Sequence, residues 1–179
     1  HREVQLVHRE LLADAVSLLR KHYGPPQAAP MLDPFELVLW ENVAYLSPRV
    51  RRQAAFDLLK STIGTSPEAI LAAKKSALER VTAHGILKAD FAEKLRECAR
   101  IAKEKFAGDL DAVVRGPLDV ALRALRLFPG IGEPGAERIL LFSGRDALLA
   151  PDSNGVRVMA RLGLAEEGKS YAKTYAACR

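Results

Sequence analysis

Cysteine is nearly missing. Cys98 and Cys178 are the only two in 179 residues, and they form no CxxC pair. So small a set argues against a disulfide framework and favours a reducing compartment. Histidine is scarce too. His1, His8, His22 and His84 lie scattered, with no H-x-x-x-H and no Cys/His cluster, so no zinc site is visible and no metal is expected. No apolar run reaches transmembrane length and no signal-peptide pattern is present, so no membrane partner is expected. Neither a β-hairpin signal nor a repeat of fixed period is found. The chain opens on His1, not Met, and ends at "YAACR"; a fragment of a longer chain is one expectation from this.

What is present has the bulk make-up of a soluble globular protein, with 49% hydrophobic and 27% charged residues. The length allows one sizeable core, or two small lobes built on shared helices. A formal charge of +5 and a pI near 9.4 suit a polyanionic partner without requiring one. The pattern is helical almost throughout, so an all-α fold is expected. "VQLVHRELLADAVSLLRKHYG" carries Leu11, Ala15, Leu18 and Leu19 at helical spacing and stops at Gly24. "PPQAAPM" is a connector. "DPFELVLWENVAYLS" opens with Asp33 as cap and Pro34 at the first helical position. "PRVRRQAAFDLLKSTIG", "SPEAILAA" capped by Ser66, "KSALERVTAHG" and "DFAEKLRECARIAKEKFAG" follow as helices. "PLDVALRALRLF", "GAERILLFSG" and "SNGVRVMARLGL" complete the run, and residues 166–179 start a further helix.

The most distinctive stretch is "LFPGIGEPGA", Leu127 to Ala136, between two helical segments. Gly130 and Gly132 allow a backbone that a Cβ would hinder. The helix that follows begins with unpaired amides and a positive dipole end, which suits a phosphate. Alone, this could be a plain glycine turn between packed helices. An apolar helix, then Leu-Phe-Pro-Gly-Ile-Gly, then Ala136 and a second apolar helix, resembles the helix-hairpin-helix DNA-binding motif. Further on, "APDSNGVRVMARLGL" places Asp152 at the start of a helix. Together, over roughly residues 34–164, these features resemble the HhH-GPD superfamily of base-excision DNA glycosylases, of the endonuclease III type.

That resemblance implies a two-lobed helical fold. One lobe spans residues 27–146 and holds the hairpin at about 118–142. The second is formed by residues 1–26 with 147–179, with a DNA cleft between the lobes and Glu41 and Asp152 facing across it. In bifunctional members a hairpin lysine attacks the sugar. Its place here is Pro134, which has no nucleophile, so the chain resembles the monofunctional branch that uses water. A displaced lysine, such as Lys88 or Lys169, is the alternative.

Asp152 matches the family's essential aspartate, whose carboxylate would stabilise the cationic sugar; it can equally cap the helix. Glu41 falls where the adenine and mismatch-thymine branches carry a catalytic glutamate. Its helical neighbours Leu37, Val38, Ala44 and Tyr45 are largely apolar, and burial there would favour a general acid. The alternative is a structural acid paired with Arg49 or Arg51. Asn154 completes an Asp-x-Asn triplet and would orient Asp152 or the water.

For DNA binding the resemblance points to Phe128, Pro129, Gly130, Ile131 and Gly132, with Leu46 as the wedge that fills the hole left by a flipped base. Leu46 as plain core is the alternative. Ile86 or Leu87 would supply a second insertion. Arg49, Arg51 and Arg52, with Arg123, Arg126 and Arg138 around the hairpin, would contact phosphate or simply form a solvated face.

The expected partner is duplex DNA with a lesion or mismatch, met by a monomer. The expected place is the bacterial cytoplasm, at the nucleoid, or another intracellular site. Many relatives hold a [4Fe-4S] cluster in a C-terminal four-cysteine loop. No such cofactor is expected within these residues; a [4Fe-4S] cluster is expected only if the native chain continues past Arg179, and the alternative is a branch that lacks it. The expected activity is hydrolysis of the N-glycosidic bond of a flipped base: a mismatched uracil or thymine, an adenine, or a damaged base. A bifunctional glycosylase/AP lyase and a non-catalytic damaged-DNA-binding module are the alternatives.

Overall fold

A computed structural model describes residues 2–26 and 33–178. Among them every regular element is a helix: α1 (Arg2–Tyr23), α2 (Pro34–Val43), α3 (Arg49–Thr62), α4 (Pro67–Ala72), α5 (Lys75–Thr82), α6 (Lys88–Phe106), α7 (Leu110–Val114), α8 (Leu118–Leu125), α9 (Glu133–Phe142), α10 (Ser153–Arg161) and α11 (Tyr171–Ala177). The expected boundary at residues 26–27 and most of the connector "PPQAAPM" lie outside the described residues. The chain divides into two compact units, Met31–Ala150 and His1–Pro30 with Pro151–Arg179.

The larger unit is organised on α2 and α6. Pro34, Phe35, Leu37, Val38, Leu39, Asn42 and Val43 of α2 are all buried, so this helix is enclosed on nearly every side. It packs on α3, α6, α7 and α9, while α6 also packs on α4 and α5. The core joins Phe35, Leu39, Leu59, Leu78, Leu95 and Leu125 with Phe128, Ile131 and Ile139. Phe128 is the joint: its ring lies 6.4 Å from Phe35 and stacks 5.9 Å from Phe106. The hairpin is thus anchored by an aromatic residue in the core.

Several helix ends follow their caps. Asp33 accepts from the Glu36 amide at 2.8 Å and Ser66 from the Ala69 amide at 3.1 Å, each followed by proline at the first helical position. Helix α2 is shorter than its sequence pattern. The chain turns away at Ala44 and passes through a left-handed Leu46, φ 62°, instead of continuing to Ser47. Helix α7 has no counterpart in the sequence reading. Asp109 caps it, accepting from the Ala112 amide at 2.9 Å, and Arg145 ties its end by donating to the carbonyls of Val114 and Arg115.

The smaller unit contains α1, α10 and α11. Its buried cluster is Val156, Ala165, Tyr175 and Cys178, with Met159 packed against it.

Candidate active site

In the larger unit the candidate residues gather where α2 meets the α8–α9 hairpin. The hairpin turn runs from Arg126 to Gly132. Leu127 and Phe128 close the end of α8 through bonds to the carbonyls of Ala124 and Leu125, and Ile131 donates to Phe128 at 3.2 Å. Gly130 sits at φ +74°, a conformation few other residues adopt. Neither Gly130 nor Gly132 donates its amide to a backbone carbonyl among the described residues. Both glycines are exposed, so these two amides are open to an anion. Phe128 and Ile131 are expected at the DNA as well. Their side chains are buried in the core and the Ile131 amide is engaged within the turn, so both build the hairpin's shape.

Helix α2 leans on this turn. Asn42, 2% exposed, donates through Nδ2 to the Val38 carbonyl at 3.1 Å. Its Oδ1 would lie 2.8 Å from any Cβ added at Gly130. The residue before it, Glu41, keeps 15% of its side chain exposed. Its Oε2 lies 3.3 Å from Nη2 of Arg138, on α9. Its ionic partner is therefore neither Arg49 nor Arg51 but an arginine of the hairpin's second helix. The sequence offers Arg138 only as one of the hairpin arginines, for phosphate or a solvated face; its reach to Glu41 spans 97 residues and leaves no local signal.

Leu46 is not core. Its side chain is 70% exposed and its backbone is held in the left-handed region. A β-carbon in that region costs roughly 1–2 kcal/mol, so the exposed apolar side chain is held up against a backbone penalty. Ile86 and Leu87, before α6, are also exposed apolar side chains. Arg49 and Arg51 at the start of α3 are exposed and make no ion pair among the described residues. Arg52 instead lies over the Trp40 ring, 5.6 Å from its centre, and Arg123 pairs with Asp119 at 2.8 Å.

Asp152 and Asn154 belong to the smaller unit. Asp152 is the cap of α10. Its Oδ1 accepts from the Gly155 amide at 2.8 Å, and its side chain is exposed. The cap holds one oxygen in place and leaves Oδ2 without a partner among the described residues. Gly155 is needed beside it, since a Cβ there would lie 2.9 Å from Cβ of Pro151 and 3.6 Å from the Asp152 oxygen. Asn154 accepts from Arg157 through its Oδ1. Alongside, an open groove of about 750 Å³ is lined by Ser153, Arg157, Arg161, Glu167, Lys169 and Tyr171, among others. Of the two lysines weighed as displaced nucleophiles, Lys169 lines this groove, and Lys88 in the larger unit lies 3.9 Å from Glu79.

A four-cysteine [4Fe-4S] cluster takes four thiolates. The two cysteines do not fit that need: Cys98 lies in the core of the larger unit and Cys178 in that of the smaller. Burial pushes the Cys98 thiol up to about 12 and raises that of Cys178, so both favour the neutral thiol over the ligand form. No group of His, Cys, Asp and Glu among the described residues is arranged to hold a metal ion. No described helix is long and apolar enough to cross a membrane.

Compared by sequence, the chain matches no family model and no curated protein. Its fold, however, is that of endonuclease III. A solved structure of a trapped endonuclease III–DNA covalent intermediate, an estranged-adenine complex, superposes with a TM-score of 0.74 at 16% identity. The match covers 98% of this chain and 75% of the other. The all-helical endonuclease III-like fold expected from the hairpin and Asp152 is therefore the one adopted.

Proposed function

We propose that this protein is a DNA glycosylase of base-excision repair, of the HhH-GPD type, hydrolysing the N-glycosidic bond of a flipped-out base. The observation that carries the reading is Asp152: a carboxylate fixed through one oxygen by its own helix cap, with the other oxygen open, on the fold of a protein captured on DNA. Support comes from the open amides of Gly130 and Gly132, from exposed Leu46 and from unpaired Arg49.

In the proposed reaction the hairpin amides and Arg49 hold phosphates, and Leu46 takes the place of the extruded base. As the C1′–N bond breaks, its electron pair leaves with the base and positive charge builds on the sugar. Asp152 stabilises that charge. Water bonds to C1′, one of its protons passes to the base, and Glu41 orients the water or relays the proton. Asn154 steadies the aspartate or the water. Pro134 has no amine for a Schiff base, so the product is an abasic site in an uncut strand. On this reading the protein acts on DNA inside the cell, as a monomer and with no cofactor held by these residues.

One observation favours a second reading. Lys169 lines the same groove as Ser153, the residue after Asp152, which keeps a lyase with a displaced amine in view. The test is base release from duplexes carrying uracil or thymine opposite guanine, adenine opposite 8-oxoguanine, an alkylated purine, or an oxidised pyrimidine. Strand breakage only after hot alkali, lost in Asp152→Asn, is the expected result. Breakage without alkali, together with borohydride trapping abolished by Lys169→Ala, would replace it with the lyase. Tight binding with no base released from any duplex would leave a binding module.

A further inference from the structure

Glu41 is held by an arginine that the reaction scheme above does not use. Arg138 lies on α9, and its side chain is only 22% exposed. Its guanidinium folds back over the first turn of its own helix, where Nη2 comes within 4.0 Å of a Cβ position on Gly135, and meets Glu41 Oε2 at 3.3 Å. Among the described residues, Oε1 of the same carboxylate has no protein partner. One oxygen is tethered and the other is left to act. The next residue of α2, Asn42, sets its amide oxygen against Gly130 in the turn. Glu41 and Asn42 are thus registered against the hairpin at two successive points, one in the turn and one in the helix behind it.

We infer that Arg138 is a positioning residue: it fixes the Glu41 carboxylate so that Oε1 meets the water or the base in one orientation, and it ties that orientation to the hairpin that grips DNA. The assignment rests on the glycosylase reading, in which Glu41 takes part in base release. A guanidinium suits the role because it stays charged and is planar. A pair of this kind that served only stability would show its loss in the melting temperature and leave the rate of base release by the folded protein alone.

The test is single-turnover base release on whichever duplex of the panel the wild type processes, with affinity for the same duplex measured separately. Arg138→Met should slow release about 10- to 100-fold, the penalty for a misplaced reacting group, while affinity stays within about threefold. Arg138→Lys, which can still donate to one oxygen, should recover most of the rate. In a Glu41→Gln background, removing Arg138 should change the rate less than about threefold, because the two act as one unit. Arg138→Gln replaces the Met variant if that chain loses its helical signal. An unchanged rate, a loss confined to affinity, or an equal loss in both backgrounds would overturn the assignment while leaving the glycosylase reading intact. A wild type that releases no base from any duplex removes both.

Discussion

Gly130 and Gly132 are separated by one residue and face different constraints. At Gly130 a Cβ would enter the left-handed region and lie 2.8 Å from Oδ1 of Asn42, whose amide is already pinned to the Val38 carbonyl. Gly130→Ala should therefore cost about 2 kcal/mol, read as a fall of several degrees in Tm. At Gly132 φ is −89° and the nearest atom to a new Cβ is Cδ of Pro134 at 3.8 Å. Gly132→Ala should cost under about 1 kcal/mol, yet weaken DNA binding, because the methyl stands beside an open amide. Equal stability losses for the two would remove the argument from Asn42. Leu46 has the opposite problem, a side chain in a conformation that suits glycine. Leu46→Gly should raise stability in urea denaturation by about 1 kcal/mol and slow base release. A stability loss would mean that the exposed leucine packs on something and is not a free wedge.

At α10 the cap and the chemistry share one carboxylate, and substitutions can separate them. Asparagine caps a helix about as well as aspartate, whereas alanine loses about 1 kcal/mol. Asp152→Asn should keep the melting temperature and abolish base release; Asp152→Ala should lose both. An Asp152→Asn enzyme with full release would leave Asp152 as a cap only. This helix was legible in the sequence because its signals are local: Asp152 as cap, then "SNGVRVMARLGL" at helical spacing. Asp33 and Ser66 announced α2 and α4 in the same way. Helix α7 was not legible, since five residues from Leu110 to Val114 are too few to show a period and only Asp109 marks them. The early end of α2 was hidden for another reason. Leucine has no tendency toward the left-handed region, so nothing at residue 46 signals the turn. The Glu41–Arg138 contact depends on α2 and α9 packing together, which no spacing within either helix encodes.

A net charge of +5 says little until its carriers are sorted by what already holds them. Arg100 meets both Glu93 and Glu97 on its own helix, and Arg115 meets Asp111. Arg145 is spent on the end of α7. Arg49 and Arg51 are exposed and unpaired among the described residues, at the start of α3, just beyond Leu46. If they hold phosphates, each contact releases counterions and the logarithm of affinity falls with the logarithm of salt by about 0.9 per phosphate. Arg49→Ala should then weaken binding similarly for every duplex sequence and reduce the salt slope by about one. Arg100→Ala removes the same formal charge from a site already neutralised by two carboxylates, and should leave the slope where it was. That comparison separates a phosphate contact from the bulk basicity of the chain. Equal changes in the two variants would mean that net charge alone draws the protein to DNA, and would take Arg49 out of the interface.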